Sequence, residues 1–162
     1  MSLFDTVTPD PALDLTLVRR LDCPPALPWR LWTEDALLQR WFTPAPVRTT
    51  EARVEPFAGG RFFTRMEMPD GTEIASEGCV LQALPWRLLV FTDTLGPGFR
   101  PKPGGFMTGF ISFTPSAGGT LYEALVRHAT EEDRKTHEEM GFDTGWNAAT
   151  DQLAAEAQKL KA

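Results

Sequence analysis

The chain has 162 residues, 42% apolar and 10% aromatic, with a net charge of −6. That is the size of one domain with a core of its own, expected over residues 1–162. It excludes a strongly basic nucleic-acid surface, since no cluster of lysine and arginine occurs.

Residues 1–11 are polar and carry Pro9 and Pro11, which reads as a flexible lead-in without the basic start and apolar run of a secretory signal. Leu13 to Leu21 alternates as a half-buried strand: Leu13, Leu15, Leu17 and Arg19 on one side, Asp14, Thr16, Val18 and Arg20 on the other. Pro24-Pro25 stops it. Two short helices fit next, one from about Pro25 to Trp32 and one capped by Thr33, with Glu34 and Asp35 in its first turn and Thr43-Pro44 at its end. From Val47 the pattern changes to strands and turns. Val47–Pro56, Arg61–Met68, Thr72–Leu84 and Arg87–Thr92 read as strands, with turns at Gly59-Gly60, Pro69-Asp70-Gly71 and Pro85-Trp86. In the second of these, Phe62, Thr64, Met66 and Met68 share one face. Gly78 marks a bulge or a close backbone approach.

Asp93 to Gly105, rich in Pro and Gly, reads as a long loop, either a lid or a disordered hairpin tip. Phe106–Thr114 and Thr120–His128 are the last strands. The stretch from Thr130 to the C-terminus reads as one long helix, with Gly141 and Gly145 inside it. Phe142, Trp146, Ala149, Leu153, Ala157 and Leu160 recur every three or four residues and give it one broad apolar face. The two interior glycines each cost about 1 kcal/mol relative to Ala. A close approach to the sheet, or a kink that opens a cavity, would offset that. A meander of strands covered by such a helix is an α+β architecture.

The order of elements and several local patterns resemble the activator of Hsp90 ATPase homologue family, within the START-like (SRPBCC, Bet v 1-like) superfamily. The patterns are Trp29-Arg30-Leu31-Trp32-Thr33, Leu37 to Phe42 with Pro44, Gly59-Gly60-Arg61-Phe62, Asp70-Gly71 and Val90-Phe91-Thr92-Asp93. Further on come Phe113-Thr114-Pro115, Gly119-Thr120, His137 to Phe142, Gly145-Trp146-Asn147 and Gln152-Leu153-Ala154. The resemblance spans about residues 12 to 160. It implies the helix-grip fold: a curved antiparallel sheet of six to seven strands around a long C-terminal helix, two short helices after the first strand, and a cavity between helix and sheet. It also implies a choice of functions, since the superfamily holds carriers of hydrophobic molecules, cyclase-type enzymes and chaperone partners.

No motif of nucleophilic catalysis is present; Ser76, Ser112 and Ser116 lack a recognisable base. Cys23 and Cys79 have unrelated spacing and read as inert. His128 and His137 are the only histidines, and with Gly at position 141 the two-histidine zinc motif is absent, so no metal and no cofactor are expected. His128 is the candidate acid–base group because an imidazole titrates near working pH. The abundance of aromatics points instead to a lined space. The candidate ligand-binding residues are Trp41, Arg61, Phe62, Thr92, Phe110, Tyr122, His128, Phe142 and Trp146. The leading expectation is non-enzymatic binding of a small hydrophobic or amphipathic ligand. The alternatives are an ATPase-stimulating partner of an Hsp90-type chaperone, and a cyclase- or hydrolase-type enzyme using His128. No membrane association, a cytoplasmic location and a monomer or homodimer complete the reading, the dimer resting on exposed tryptophans of the two short helices.

Overall fold

The computed structural model describes residues 2–161. The strands, in chain order, are β1 (Asp14–Leu21), β2 (Arg48–Val54), β3 (Arg61–Glu67), β4 (Glu73–Leu84), β5 (Leu88–Thr92), the two-residue β6 (Leu95–Gly96) and β7 (Arg100–Pro101), β8 (Thr108–Ser116) and β9 (Gly119–Arg127). Between β1 and β2 stand α1 (Ala26–Thr33) and α2 (Asp35–Leu38); α3 (Glu131–Glu139) and α4 (Phe142–Lys161) end the chain. Seven strands form one antiparallel sheet in the order β1-β9-β8-β5-β4-β3-β2, and β6 pairs only with β7. The first strand is thus hydrogen-bonded to the last, and β1 and β2 form the two edges of the sheet that lies against α4. The helix-grip architecture expected from the sequence is the observed one.

The period-two pattern decides which side of the sheet each residue faces. Leu17, Leu21, Phe62, Phe91, Ile111, Phe113, Tyr122 and Ala124 turn to the concave side and join Trp29 and Trp32 of α1 and Trp41, just after α2, in one core cluster. Ala149, Leu153 and Ala157 of α4 lie in the same cluster, and Phe142 packs with Leu15 and Val126. The apolar face read from the helix spacing is therefore the buried face. Side chains fix α4 in place. Gln152 Nε2 donates to the carbonyls of Trp41 and Thr43, and its Oε1 accepts from Ala45 N–H at 2.9 Å. Arg19 of β1 bonds Asn147 and Asp151, while Gln158 and Lys161 donate to the Asp22 carbonyl.

Several expectations are corrected. The C-terminal stretch is two helices, not one, because Gly141 takes a φ of +92°, a left-handed conformation that ends α3. Thr130 caps α3 by accepting from Asp133 N–H. Thr33 does not cap α2; its hydroxyl turns back to the Trp29 carbonyl at 2.8 Å and Glu34 occupies the cap position. Gly78 marks a close approach: a Cβ there would stand 2.5 Å from the Thr92 carbonyl oxygen, whereas the bulge lies between Val80 and Gln82.

The Pro- and Gly-rich loop is not shapeless. It folds as the β6–β7 hairpin around a 3-10 turn at Pro97–Phe99, with Gly98 N–H donating to the Gly59 carbonyl at 2.7 Å. Asp93 Oδ1 closes its base by accepting from the N–H groups of Phe106 and Met107. The lead-in is ordered over Leu3–Asp5, a 3-10 turn capped by Ser2. Glu123, 2% exposed on β9, holds it by accepting from Ser2 Oγ at 2.6 Å and Leu3 N–H at 2.9 Å. No helix among the described residues is long and apolar enough to cross a membrane.

Candidate functional site

Between α4 and the concave face of the sheet lies a cavity of about 410 Å³. Its inner end is aromatic. Trp32 and Trp41 meet edge to face with ring centroids 4.9 Å apart, and Phe62 stacks on Phe91 at 4.4 Å. These rings are held by the polar atoms they carry. Trp41 Nε1 donates to the Leu31 carbonyl at 2.8 Å, and Trp32 Nε1 donates to the Tyr122 hydroxyl at 2.9 Å. Phe142 and Trp146, 4.9 Å apart, form the wall contributed by α4.

The outer end is made of methionine. Met66 on β3, Met68 just after it, Met107 before β8 and Met140 between the last two helices all line the cavity, so every methionine after Met1 does so. Met140 is 72% exposed and marks the opening. Unbranched, polarisable side chains suit a wall that adapts to its occupant.

Few polar groups face this space. Thr64, 5% exposed, lines it and makes no side-chain hydrogen bond among the described residues. His137 lines it from α3. Its Nδ1 lies 2.9 Å from His128 Nε2, and His128 Nδ1 lies 2.9 Å from the Leu13 carbonyl. Burial, the neighbouring His128 ring and, in opposition, the Asp93 carboxylate hold the His137 pKa down at about 4. A neutral pair fits this geometry: His128 donates from Nδ1 to Leu13, His137 donates from Nδ1 to His128, and His137 Nε2 keeps its lone pair. Phe106 covers the pair, with ring centroids 5.5 Å from His128 and 5.0 Å from His137. Among the described residues, Asp93 is the one carboxylate in the lining, and no lysine or arginine contributes.

Of the nine residues put forward from sequence, the structure brings six to this cavity: Trp41, Phe62, Thr92, Tyr122, Phe142 and Trp146. The Thr92 hydroxyl is occupied with structure, donating to the Met107 carbonyl and accepting from Thr94 N–H and the Thr108 hydroxyl. Three lie elsewhere. Arg61 is on the convex face of β3, paired with Glu77 through Nε–Oε1 at 2.8 Å and Nη2–Oε2 at 3.0 Å, with its guanidinium over the Phe63 ring. The Glu77 hydrogen bond is the main cause of its raised pKa. Phe110 is convex too, in register between Val90 and Leu125. His128 stands behind His137, with both ring nitrogens engaged, so the acid–base role given to it at the cavity mouth has no geometry.

The sequence reading missed His137, Thr64 and the methionines. Met66, Met68 and Thr64 were legible as one face with Phe62. His137 was hidden in a charged helix whose only buried residue it is. The tryptophans offered as a dimer surface are buried: Trp29 at 7% and Trp32 at 1% exposed on α1, and Trp41, after α2, at 3%. Cys23 and Cys79 are buried free thiols, and burial raises the Cys23 pKa.

No curated protein sequence is significantly similar to the chain. Among solved structures, it is similar to a protein of Nitrosomonas europaea at 39% identity and a TM-score of 0.90, over 94% of this chain and 98% of that one. A Rhodobacter sphaeroides protein matches at 24% identity and 0.82, over 96% and 99%. An AHSA1-like protein of Aeromonas hydrophila matches at 17% identity and 0.68, over 92% and 94%, which speaks to the fold alone. The family model described as activator of Hsp90 ATPase homolog 1-like protein matches residues 22–158, and the chain belongs to that family.

Proposed function

We propose that the protein binds a small, mainly apolar molecule in the cavity between α4 and the sheet, without converting it. The observation that carries this reading is a cavity of about 410 Å³ lined by Trp, Phe and Met with few polar groups. Small-molecule sites run from about 300 to 1,000 Å³ and share that make-up. Gly145 adds support. A Cβ at this helical position would meet only Pro44 Cγ, 4.0 Å away, so packing does not require a glycine there. It costs the helix about 1 kcal/mol relative to Ala, and what it leaves behind is open space on the cavity wall.

The enzyme reading loses its nominated residue, because His128 does not reach the cavity. The chaperone reading rests on the family's description. It is tested by the ATPase rate of the host's own Hsp90-type chaperone, which is expected to be unchanged by this protein; a stimulated rate would bring the partner reading forward.

The binding reading is tested by thermal melting with a panel of neutral aromatic and aliphatic compounds. A ligand at 100 times its dissociation constant stabilises by about 2.7 kcal/mol, enough to raise the midpoint by several degrees. Gly145→Leu, whose side chain would occupy the open space, is expected to fold and to lose that rise. A panel with no effect on the native protein would remove this reading.

A further inference from the structure

Tyr122 holds a hydrogen-bond donor that the protein does not use. Its hydroxyl accepts from Trp32 Nε1 at 2.9 Å, and an indole nitrogen can only donate, so the phenolic oxygen is the acceptor in that bond. The phenolic proton is left over, and it has no acceptor among the described residues. The residue is 1% exposed and lines the inner end of the cavity, where water has little access. A buried donor without a partner is costly, and such groups in folded proteins normally find one. Burial also pushes the Tyr122 pKa up, so the proton stays in place across the working pH range.

The surroundings fix what kind of acceptor fits. Among the described residues no lysine or arginine lines the cavity, so an ionised carboxylate or phosphate brought to Tyr122 would be buried without a countercharge in the lining. Arg19, opposite Tyr122 on β1, is committed to Asp151 at 2.6 Å. Asp93, in the same lining, further disfavours an anion.

We infer that Tyr122, held by Trp32, is the specificity-determining donor of this cavity, and that it selects uncharged apolar molecules whose inner end carries a carbonyl-class oxygen. This rests on the binding reading above and names the chemistry that reading lacks. Trp32 turns the hydroxyl, the aromatic rings around it take the apolar body, and the methionines at the opening accommodate variation in the rest.

The test is calorimetric titration of the whole protein with three matched probes: 2-ethylnaphthalene, 2-acetylnaphthalene and 2-naphthoate. The ketone is expected to bind about 5- to 10-fold more tightly than the ethyl compound, the value of one buried neutral hydrogen bond, and the carboxylate more weakly than either. Tyr122→Phe removes only the hydroxyl and is expected to erase the preference for the ketone while keeping affinity for the ethyl probe. Trp32→Phe, which leaves the Tyr122 proton available but removes the bond that turns the hydroxyl, should reduce the preference without erasing it. The carbonyl stretch of the ketone bound to native protein, read by infrared difference spectroscopy, should fall below its frequency in apolar solvent, and this holds whether or not the variants fold. Equal binding of ketone and ethyl probe, a preference surviving in Tyr122→Phe, or tightest binding of the carboxylate would each overturn the assignment while leaving the cavity reading standing. Failure of all three probes to bind would instead remove the binding reading, and this inference with it.

Discussion

His137 shows how a single side chain ties the cavity wall to the fold. It is the buried residue of a helix whose other positions are solvated, and it spans from the cavity to His128 at the end of β9. Folding holds its pKa down at about 4, mainly through desolvation and then through the adjacent His128 ring. An unfolded chain titrates the same group near 6.5. Between those values the unfolded state carries a proton that the folded state refuses, so stability rises with pH across the window. The contribution is complete above about pH 6.5 and is lost as the pH falls toward 4, to a maximum of about 3 kcal/mol. Carboxylates titrate in part of the same range, so the measurement is a difference. Urea midpoints of the native protein and His137→Gln should converge as the pH drops from 7 to 4. A constant gap between them would show that the ring is not held neutral.

At the level of elements, two glycines four residues apart have opposite roles. Gly141 separates α3 from α4 with a φ of +92°, outside the region that side-chain-bearing residues adopt readily, and a Cβ would meet nothing there within 4 Å. The cost of Gly141→Ala is therefore purely conformational, about 1–2 kcal/mol destabilising. Gly145 has helical backbone and room for a Cβ, so Gly145→Ala should stabilise by about 1 kcal/mol. Chemical denaturation of the two variants checks both signs; if they moved the same way, the split between the helices would be wrongly understood. The pair also marks what could be read beforehand. Spacing from Phe142 to Leu160 identified the buried face of α4, because packing obeys the helical period. It could not identify the break at Gly141, because the charged residues before it and the apolar ones after it are both helix-compatible. Only the backbone angle separates them. Strand parity behaved similarly. Phe62, Thr64, Met66 and Met68 were correctly grouped, but which face was concave was not legible, so Arg61 and Phe110 were assigned to a cavity that they face away from.

At the scale of the whole molecule, the architecture was legible because it depends on order: a strand, two short helices, a meander and a covering helix leave few ways to bury an acidic chain's apolar residues. The site was less so: Tyr122 was a candidate from sequence, but its unused proton depends on Trp32, 90 residues away, and His137 owes its place to a contact with His128 across a turn. The same separation between surface and cavity yields a further prediction. The chain carries a net charge of −6, whereas the cavity lining holds one carboxylate, Asp93, and no lysine or arginine among the described residues. Interactions between exposed charges are screened over about 10 Å at 0.1 M salt and about 3 Å at 1 M. Binding of a neutral probe such as 2-acetylnaphthalene should therefore change less than about twofold between 20 mM and 500 mM salt. A partner protein drawn to the acidic surface would behave differently, with association slowing steeply over that range. A steep salt dependence for the small probe would mean that it occupies the charged exterior and not the space between α4 and the sheet, and Met140, at the exposed opening, would then no longer be the way in.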